Sequence, residues 1–268
     1  VEPPGLFRGR GEHTKMGKVK KRIMPEDITI NIGAEAVIPK CPIQGHDWGR
    51  VICDRTVTWL AGWKDTINGK DHKYVWLAAN SDIKGNADRE KYDKARKLKG
   101  ENIEKVRNLF NKNMKKDDIF MQQLGVAAYL IDQLALRAGG EKDTEEEADT
   151  VGCCTLKAGN VELARRNHAQ IREKMTPEER AKEAHMNAQL RQEEIESDKE
   201  HCVLDLNFLG KDSIEYKQTN IKIPKLVWTC LKRFKDGKKD EEPLFDRISI
   251  ANVNEHFNSI FPGLTAKV

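Results

Sequence analysis

Two arginines in a glycine-rich stretch near the start of the chain are the first side chains that could do chemistry. Gly5-Leu-Phe-Arg-Gly-Arg-Gly11 contains Arg8 and Arg10. Glycine lets the backbone approach a ligand closely, and guanidinium groups can then reach phosphates or the edges of a nucleic-acid groove. The alternative interpretation of this stretch is a flexible loop without a ligand.

A lysine and a third arginine could also act on phosphate. Lys211 lies in Gly210-Lys-Asp-Ser213, but the upstream glycine of G-x-x-x-x-G-K-[ST] is absent, so the motif does not predict an NTPase. Arg137 is expected at the C-terminal end of an apolar helix. There its charge could offset the helix dipole, or its guanidinium could clamp a phosphate.

The histidines and cysteines do not predict a metal site. The seven histidines form no H-x-x-x-H pair, and surface or core positions are expected for all of them. The six cysteines include no C-x-x-C and predict reduced structural thiols in an intracellular protein: Cys41, Cys53, Cys153, Cys154, Cys202 and Cys230. We therefore expect neither a metal nor a cofactor.

Length and charge bound the class of protein. A chain of 268 residues can form one large or two modest domains. We expect no membrane partner and no secretion, because no stretch approaches the roughly 18 apolar residues of a membrane span and the start lacks a signal-peptide pattern.

Positive charge is concentrated in two blocks. Residues 1–22 carry seven Lys and Arg against two acids, and residues 84–116 carry twelve against five. Such blocks suit a polyanion, because neutralised phosphates release their counterions. Solvated helical surfaces explain the same pattern equally well.

The first eighty residues are predicted to be β-rich. Ile28, Ile30 and Ile32 alternate with polar residues, which is typical of a half-buried strand. The apolar stretches 57–63 and 74–77 flank Asn68-Gly69, a dipeptide that favours the positive φ of a type I′ hairpin turn.

The remainder is predicted to be mainly helical. Apolar spacing predicts helices over 88–112 and 117–138, the second ended by Gly139-Gly140, and two more from Pro224 and over 249–261. Strands are expected at 151–156 and 201–209. Between them, residues 160–200 are polar and predict an exposed helical or partly disordered insert, with a helix starting at the Thr176-Pro-Glu-Glu179 capping box.

Long motifs spread over nearly the whole chain closely resemble the eukaryotic type IB DNA topoisomerases. They are Val1-Glu-Pro-Pro-Gly-Leu-Phe-Arg-Gly-Arg-Gly11, Lys20-Lys-Arg-Ile-Met-Pro-Glu-Asp27, Leu134-Ala-Leu-Arg-Ala-Gly139, Ala148-Asp-Thr-Val-Gly-Cys-Cys-Thr155, Phe208-Leu-Gly-Lys-Asp-Ser-Ile214, Leu244-Phe-Asp-Arg247 and Gly263-Leu-Thr-Ala-Lys-Val268. The 160–200 segment lacks this resemblance.

The resemblance implies DNA relaxation without ATP or metal. In that family a tyrosine attacks a backbone phosphorus, a 3′-phosphotyrosine link forms, and the freed 5′-hydroxyl later reseals the strand. By resemblance, Arg137 hydrogen-bonds the non-bridging phosphate oxygens, and Lys211 reaches into the minor groove and protonates the departing 5′-oxygen. Arg10 and Asp212 match positions that flank the cleavage site.

Further DNA contacts are implied at Arg8 and at five positions that match backbone contacts of the family: Lys20, Lys84, Lys91, Lys142 and Thr150. Glu215 stands where the family usually has an arginine, which puts one local contact in doubt.

The family's nucleophilic tyrosine, catalytic histidine and second catalytic arginine are expected beyond Val268. Tyr74, Tyr92, Tyr129 and Tyr216 match none of them, so no nucleophile is expected in this chain. The alternatives are a non-catalytic duplex-DNA-binding fragment, or a subunit completed by a second polypeptide that carries the tyrosine.

The fold implied is α+β. Residues 1–80 are expected to form the C-terminal part of a β-rich DNA-binding cap lobe. Residues 81–268 are expected to form a mainly helical catalytic subdomain of the topoisomerase IB and tyrosine-recombinase type. The expected partner is duplex DNA, and the expected location is the nucleus.

Overall fold

The computed structural model of the protein describes residues 5–140, 148–177, 180 and 200–267. It combines helices with two sheets, which confirms the predicted α+β class. The chain divides into two compact units. The first comprises residues 1–93 and 143–148, and the second comprises residues 94–142 and 149–268.

The first unit contains a four-stranded sheet of order β2-β1-β3-β4. The strands are β1 (Thr29–Asn31), β2 (Arg50–Ile52), β3 (Trp59–Lys64) and β4 (His72–Trp76). β1 pairs with β2 in parallel and with β3 antiparallel, and β3 and β4 form the predicted antiparallel hairpin. Gly69 has the expected positive φ of 68°, but the connection spans residues 65–71, not a two-residue turn.

Three helices follow, and their boundaries differ from the prediction. They are α1 (Asp82–Lys97), α2 (Ile103–Met114) and α3 (Ile119–Leu134), with a π-helical turn over Leu98–Asn102 between the first two. The helix predicted over 88–112 is present, but it begins earlier, at Asp82, and the π-helical turn divides it into two α-helices. Asp118 caps α3 by accepting a hydrogen bond from Phe120 N at 2.9 Å.

α3 ends four residues before the predicted end at Ala138. Ala135 adopts a left-handed conformation with φ 52° and ψ 32°, and it ends the helix before the two glycines are reached. Arg137 consequently lies beyond the helix, and compensation of the helix dipole does not describe its position.

The second unit contains an antiparallel sheet of order β5-β6-β7. The strands are β5 (Val161–Arg166), β6 (His201–Leu209) and β7 (Glu215–Lys222). The described residues of this unit also form the helices α4 (His168–Lys174), α5 (Lys225–Lys235) and α6 (Ile250–Ile260). β6, α5 and α6 match the predictions. The strand predicted over 151–156 is wrong, because Cys153–Thr155 forms a 3-10 turn.

The start of the predicted insert belongs to the core. β5 pairs with β6 from Val161 to Arg166, and both of these residues are buried. Ile171 in α4 is buried as well. Arg180 N donates to Thr176 O at 3.0 Å, as expected where a helix starts, and most of the remaining insert lies outside the described residues. Deleting all of 160–200 would therefore remove a strand of the sheet.

α3 is the central helix of the second unit and contacts α2, α5 and α6. Eight of its residues are buried, including the polar Gln123. Gln123 donates to Asp246 Oδ1 at 2.6 Å and accepts from Arg247 N at 2.9 Å. These two hydrogen bonds attach the Leu244–Arg247 motif to α3 and satisfy a buried amide. No described helix has both the length and the apolar character needed to cross a membrane.

Candidate active site

Arg137 is presented to solvent by a buried stretch of backbone. Its neighbours Leu136 and Ala138 are buried, whereas Arg137 itself is exposed. Its carbonyl oxygen accepts from Cys153 N at 2.7 Å, and the Ala138 carbonyl accepts from Cys154 N at 2.7 Å. Two core residues and two backbone hydrogen bonds thus hold the segment while the guanidinium extends outward.

Lys211 lies at the tip of the β6–β7 hairpin. Gly210 N donates to Ile214 O at 2.8 Å, which closes the turn. Asp212 and Ser213 both have left-handed backbones, with φ of 67° and 57°. At the base of the turn the Phe208 and Tyr216 rings stack with centroids 4.9 Å apart, so the exposed lysine is carried on a closed and packed hairpin.

One segment joins these two elements. Val151 N donates to Leu209 O at 2.8 Å, two residues before Lys211. Cys153, two residues after Val151, donates to the carbonyl of Arg137. Thr150, immediately before this segment, is buried. The structure therefore brings the backbones that carry Arg137, Thr150, Lys211 and Asp212 into one hydrogen-bonded arrangement.

A buried ion pair lies within the sheet that supports the hairpin. Arg166 is 6% exposed, and its guanidinium donates to both carboxylate oxygens of Asp205, at 2.9 and 2.8 Å. It also donates to Asn220 Oδ1 at 2.6 Å, and Asn220 N donates to Asp205 Oδ1 at 2.6 Å. Asn220 has a φ of 59° in β7, where the register with β6 shifts.

The pKa values of Arg166 and Asp205 are shifted in the directions that stabilise the charged form of each side chain. The hydrogen bonds from Arg166 to Asp205 raise the pKa of the guanidinium. Burial alone would raise the pKa of Asp205, but the bonds from Arg166 and Asn220 N outweigh it, so that pKa lies below its ordinary value. No local sequence pattern predicts this pair, because its members are 39 residues apart in the chain.

A cavity of about 250 Å³ lies beside the hairpin, with Val151, Leu209, Lys157 and Glu215 in its lining. Lys157 already pairs with Asp149 at 2.8 Å and Glu241 at 3.0 Å, and the hydrogen bonds to these carboxylates raise its pKa. Two carboxylates thus balance the positive charge of Lys157, which makes the cavity a poor binding site for an anion. The described residues contain no group of three or more His, Cys, Asp or Glu side chains able to hold a metal.

Other predicted DNA contacts lie in the first unit. Leu6 pairs with Val19, Lys20 N donates to Gly5 O at 2.6 Å, and the exposed Arg8 and Arg10 lie within the resulting loop. Lys20 places its Nζ 5.8 Å from the centroid of the Phe7 ring.

The α1 lysines are exposed too. Lys84 pairs with Asp88 within the helix, and Lys91 lies over the Tyr92 ring at 5.9 Å. Lys142 lies outside the described residues.

Two family models match the chain. The model described as "Eukaryotic DNA topoisomerase I, catalytic core" matches residues 80–268. The model described as "Eukaryotic DNA topoisomerase I, DNA binding fragment" matches residues 1–77. The chain belongs to the eukaryotic DNA topoisomerase I family.

Individual topoisomerase I relatives match along the whole chain. DNA topoisomerase 1 beta of Arabidopsis thaliana is 49% identical over 268 residues, and DNA topoisomerase 1 of Homo sapiens is 41% identical over 268 residues. "DNA topoisomerase I, mitochondrial" of Rattus norvegicus is also 41% identical over 268 residues. The chain spans 25%, 31% and 40% of the lengths of these three relatives, respectively. The resemblance inferred from the motifs is thereby confirmed.

The four tyrosines of this topoisomerase I chain differ in their surroundings. Tyr129 is partly buried, meets the Phe110 ring edge-on at 6.1 Å, and has its pKa raised by burial. Tyr216 stacks on Phe208, and Tyr74 contacts Trp59 and Trp76. Tyr92 is 69% exposed on α1 beneath Lys91.

Proposed function

We propose that this chain forms part of the DNA-binding and catalytic core of a type IB DNA topoisomerase. Such an enzyme relaxes supercoiled duplex DNA by transient cleavage of one strand and religation, without ATP or metal. The observation that carries the proposal is the pair of exposed cations, Arg137 and Lys211, held on backbone segments joined by hydrogen bonds within a chain of this family.

Arg137 is assigned to the phosphate that is attacked. When an oxygen nucleophile adds to phosphorus, negative charge grows on the non-bridging oxygens, and a fixed guanidinium fork can donate to two of them. Its exposed position suits that task, because backbone hydrogen bonds hold the segment that carries it while the guanidinium extends into solvent.

Lys211 is assigned to the leaving group. Cleavage releases the 5′-oxygen of the broken strand as an alkoxide, which needs a proton from a nearby acid. An ammonium at the tip of a narrow hairpin can enter a groove of the duplex and supply that proton. Religation reverses the transfer, since the 5′-hydroxyl must lose its proton before it attacks.

The attacking tyrosine is assigned to a part of the enzyme outside this chain. A missing C-terminal segment or a second polypeptide would supply it. The chain alone is then expected to bind DNA without cleaving it, and this behaviour would be the same for a non-catalytic DNA-binding fragment. Both alternatives share the binding surface and differ in whether cleavage appears when the tyrosine is provided.

The first unit and α1 supply the remaining contacts in this proposal. Residues 1–80 would form part of the cap lobe and residues 81–268 the catalytic subdomain. Arg8, Arg10, Lys20, Lys84, Lys91, Lys142, Thr150 and Asp212 would contact or flank the duplex. A nuclear location follows from the substrate, although one relative is named as mitochondrial.

Binding of the chain to a fluorescently labelled duplex tests the proposal. The logarithm of the affinity should fall steeply with the logarithm of salt concentration, by about 0.9 per phosphate neutralised. Arg137→Ala and Lys211→Ala should each weaken binding and reduce that slope by about 1. Lys239→Ala removes the same charge from an exposed lysine outside both segments and should leave the slope nearly unchanged. Absence of binding at low salt, or binding that ignores salt, would contradict the DNA assignment.

A further inference from the structure

Two glycines of the second unit cross with their backbones in direct contact. A Cβ added to Gly152 would lie 2.4 Å from Gly139 Cα and 2.8 Å from Arg137 O. A Cβ added to Gly139 would lie 2.5 Å from Gly152 Cα. Real Cβ atoms do not approach backbone atoms this closely, so the crossing requires glycine at both positions.

Space, and not backbone conformation, is what demands glycine at position 152. Gly152 has φ −130° and ψ −171°, an extended conformation that any residue adopts. Gly139, by contrast, has a φ of 73°, which favours glycine by itself. A substitution at Gly152 therefore changes the contact between the two segments without adding strain at its own backbone.

The crossing is linked on one side to Arg137 and on the other to Lys211. Cys153 N donates to Arg137 O, and one residue before Gly152 the Val151 N donates to Leu209 O at 2.8 Å. Leu209 precedes Lys211 by two residues and belongs to the hairpin whose tip carries it. Residues 151–153 therefore contact the backbones that carry both cations, so a displacement of this segment acts on both.

We infer that the Gly139–Gly152 crossing is a positioning element that sets the spacing of Arg137 and Lys211 for one phosphate group. This inference rests on the proposed function, since it requires both cations to act on the same DNA backbone. Groups that act jointly on one phosphate lose much of their effect when one is displaced by about 1 Å. In this role Gly152 acts through its neighbours Val151 and Cys153.

A double-mutant cycle on duplex affinity tests the inference with the full chain. Gly152→Ala should weaken binding about 10-fold in the natural background. In the Arg137→Ala/Lys211→Ala background the same substitution should cost less than about 2-fold, because the side chains it displaces are absent. A role in overall folding alone would give the same loss in both backgrounds.

Gly140→Ala is the matched control. Gly140 lies next to Gly139, has no positive φ, and offers open space to a Cβ. Gly140→Ala should leave the affinity for duplex DNA unchanged in both backgrounds.

A milder variant covers the case in which Gly152→Ala fails to fold. Thr155 accepts a hydrogen bond from Gly152 N at 2.9 Å through its hydroxyl. Thr155→Val removes that bond while keeping the shape of the side chain. We expect a loss of about 3-fold in the natural background and none in the doubly substituted one.

These measurements distinguish the positioning role of the Gly139–Gly152 crossing from the proposed function of the site. Equal losses in both backgrounds, or no loss from either variant in a folded chain, would overturn the positioning role. If Arg137→Ala/Lys211→Ala binds DNA as tightly as the natural chain, the proposed function of this site is itself wrong.

Discussion

Arg137 and Lys211 are fixed by their backbone neighbours and not by partners of their own side chains. Among the described residues neither side chain forms an ion pair or a hydrogen bond, and both are exposed. The backbone segments that carry them, by contrast, form short hydrogen bonds to residues 151–153. This arrangement leaves the cations available to a polyanion while holding their attachment points.

The buried pair of Arg166 and Asp205 makes a prediction at the residue scale. Asp205→Asn keeps the shape of the side chain but leaves a buried guanidinium without its counter-charge, which should cost about 3–5 kcal/mol at neutral pH. Glu162 pairs with the same arginine at 3.7 Å, but its side chain is 71% exposed. Glu162→Gln should therefore cost no more than about 0.5 kcal/mol. Urea unfolding followed by circular dichroism measures both.

The stabilisation that Asp205 provides should decrease at low pH. The folded pKa of Asp205 lies below its ordinary value, so its stabilising contribution is complete above the unfolded pKa of about 3.9. It is lost as pH falls from there through the folded pKa. The difference in the free energy of unfolding between the natural chain and Asp205→Asn should thus become smaller below about pH 4. A difference in unfolding free energy that is small at neutral pH, or that stays constant down to pH 2, would contradict the prediction.

The sequence motifs predict the two exposed cations but not the contacts that hold their backbones. Arg137 and Lys211 lie in sequence motifs that resemble those of the family, and these motifs indicate their roles. Gly152 lies inside one of the same motifs, but a close approach between residues 139 and 152 depends on tertiary structure. The bond from Arg166 to Asp205 likewise depends on β5 pairing with β6 in one register.

At the scale of elements, the predicted boundaries differ from the observed ones where a local conformation overrides the periodic apolar pattern. The apolar spacing continues through Ala138, yet α3 stops where Ala135 becomes left-handed. β5 was missed because Val161–Arg166 contains two arginines and a glutamate, a composition that indicates an exposed segment. The buried pairing of Arg166 is what makes such a strand compatible with the sheet.

The packing of α2 against α3 makes a prediction at this scale. A Cβ on Gly125 would lie 2.7 Å from Phe110 O and 2.8 Å from Met114 Cγ. Gly125→Ala should destabilise the protein by about 1–3 kcal/mol through overpacking, although alanine favours helix by up to about 1 kcal/mol. Gly85→Ala in α1 is the control, since nothing lies within 4 Å of its Cβ.

The control should be neutral or stabilising by up to about 1 kcal/mol. Thermal and urea unfolding of both variants give the comparison. Equal effects of the two substitutions would mean that α2 and α3 do not pack through Gly125.

At the scale of the whole molecule, the two units differ in how much they bury. The hydrophobic core cluster lies entirely in the second unit, between Val106 and Leu264. In the described part of the first unit, Ile30 is the single buried large hydrophobic residue, while Trp76 is 58% exposed and Val75 47% exposed. Buried apolar area is the main source of stability, so the first unit should unfold more easily.

Two spectroscopic probes separate the units. Four of the five tryptophans (Trp48, Trp59, Trp63 and Trp76) lie in the first unit. Most of the helical residues that the structure describes lie in the second unit. Tryptophan fluorescence should therefore change at a lower urea concentration than the helical circular dichroism signal at 222 nm. Coincident transitions would indicate one cooperative unit.

The most direct test of the central claim separates the chemical roles of Arg137 and Lys211. Residues 1–268 replace the matching quarter of Arabidopsis thaliana DNA topoisomerase 1 beta, and cleavage is measured on normal DNA and on a strand whose bridging 5′-oxygen is replaced by sulfur. A thiolate leaves without an acid more readily than an alkoxide, because a free thiol has a pKa of about 8.5. Lys211→Ala should lose about 10²–10⁴ in rate on normal DNA and recover most of that loss on the sulfur-bridged strand. Arg137→Ala should be slow on both, since charge develops on the non-bridging oxygens whichever atom leaves. Equal rescue of the two variants, or rescue of neither, would contradict the roles proposed for these two residues.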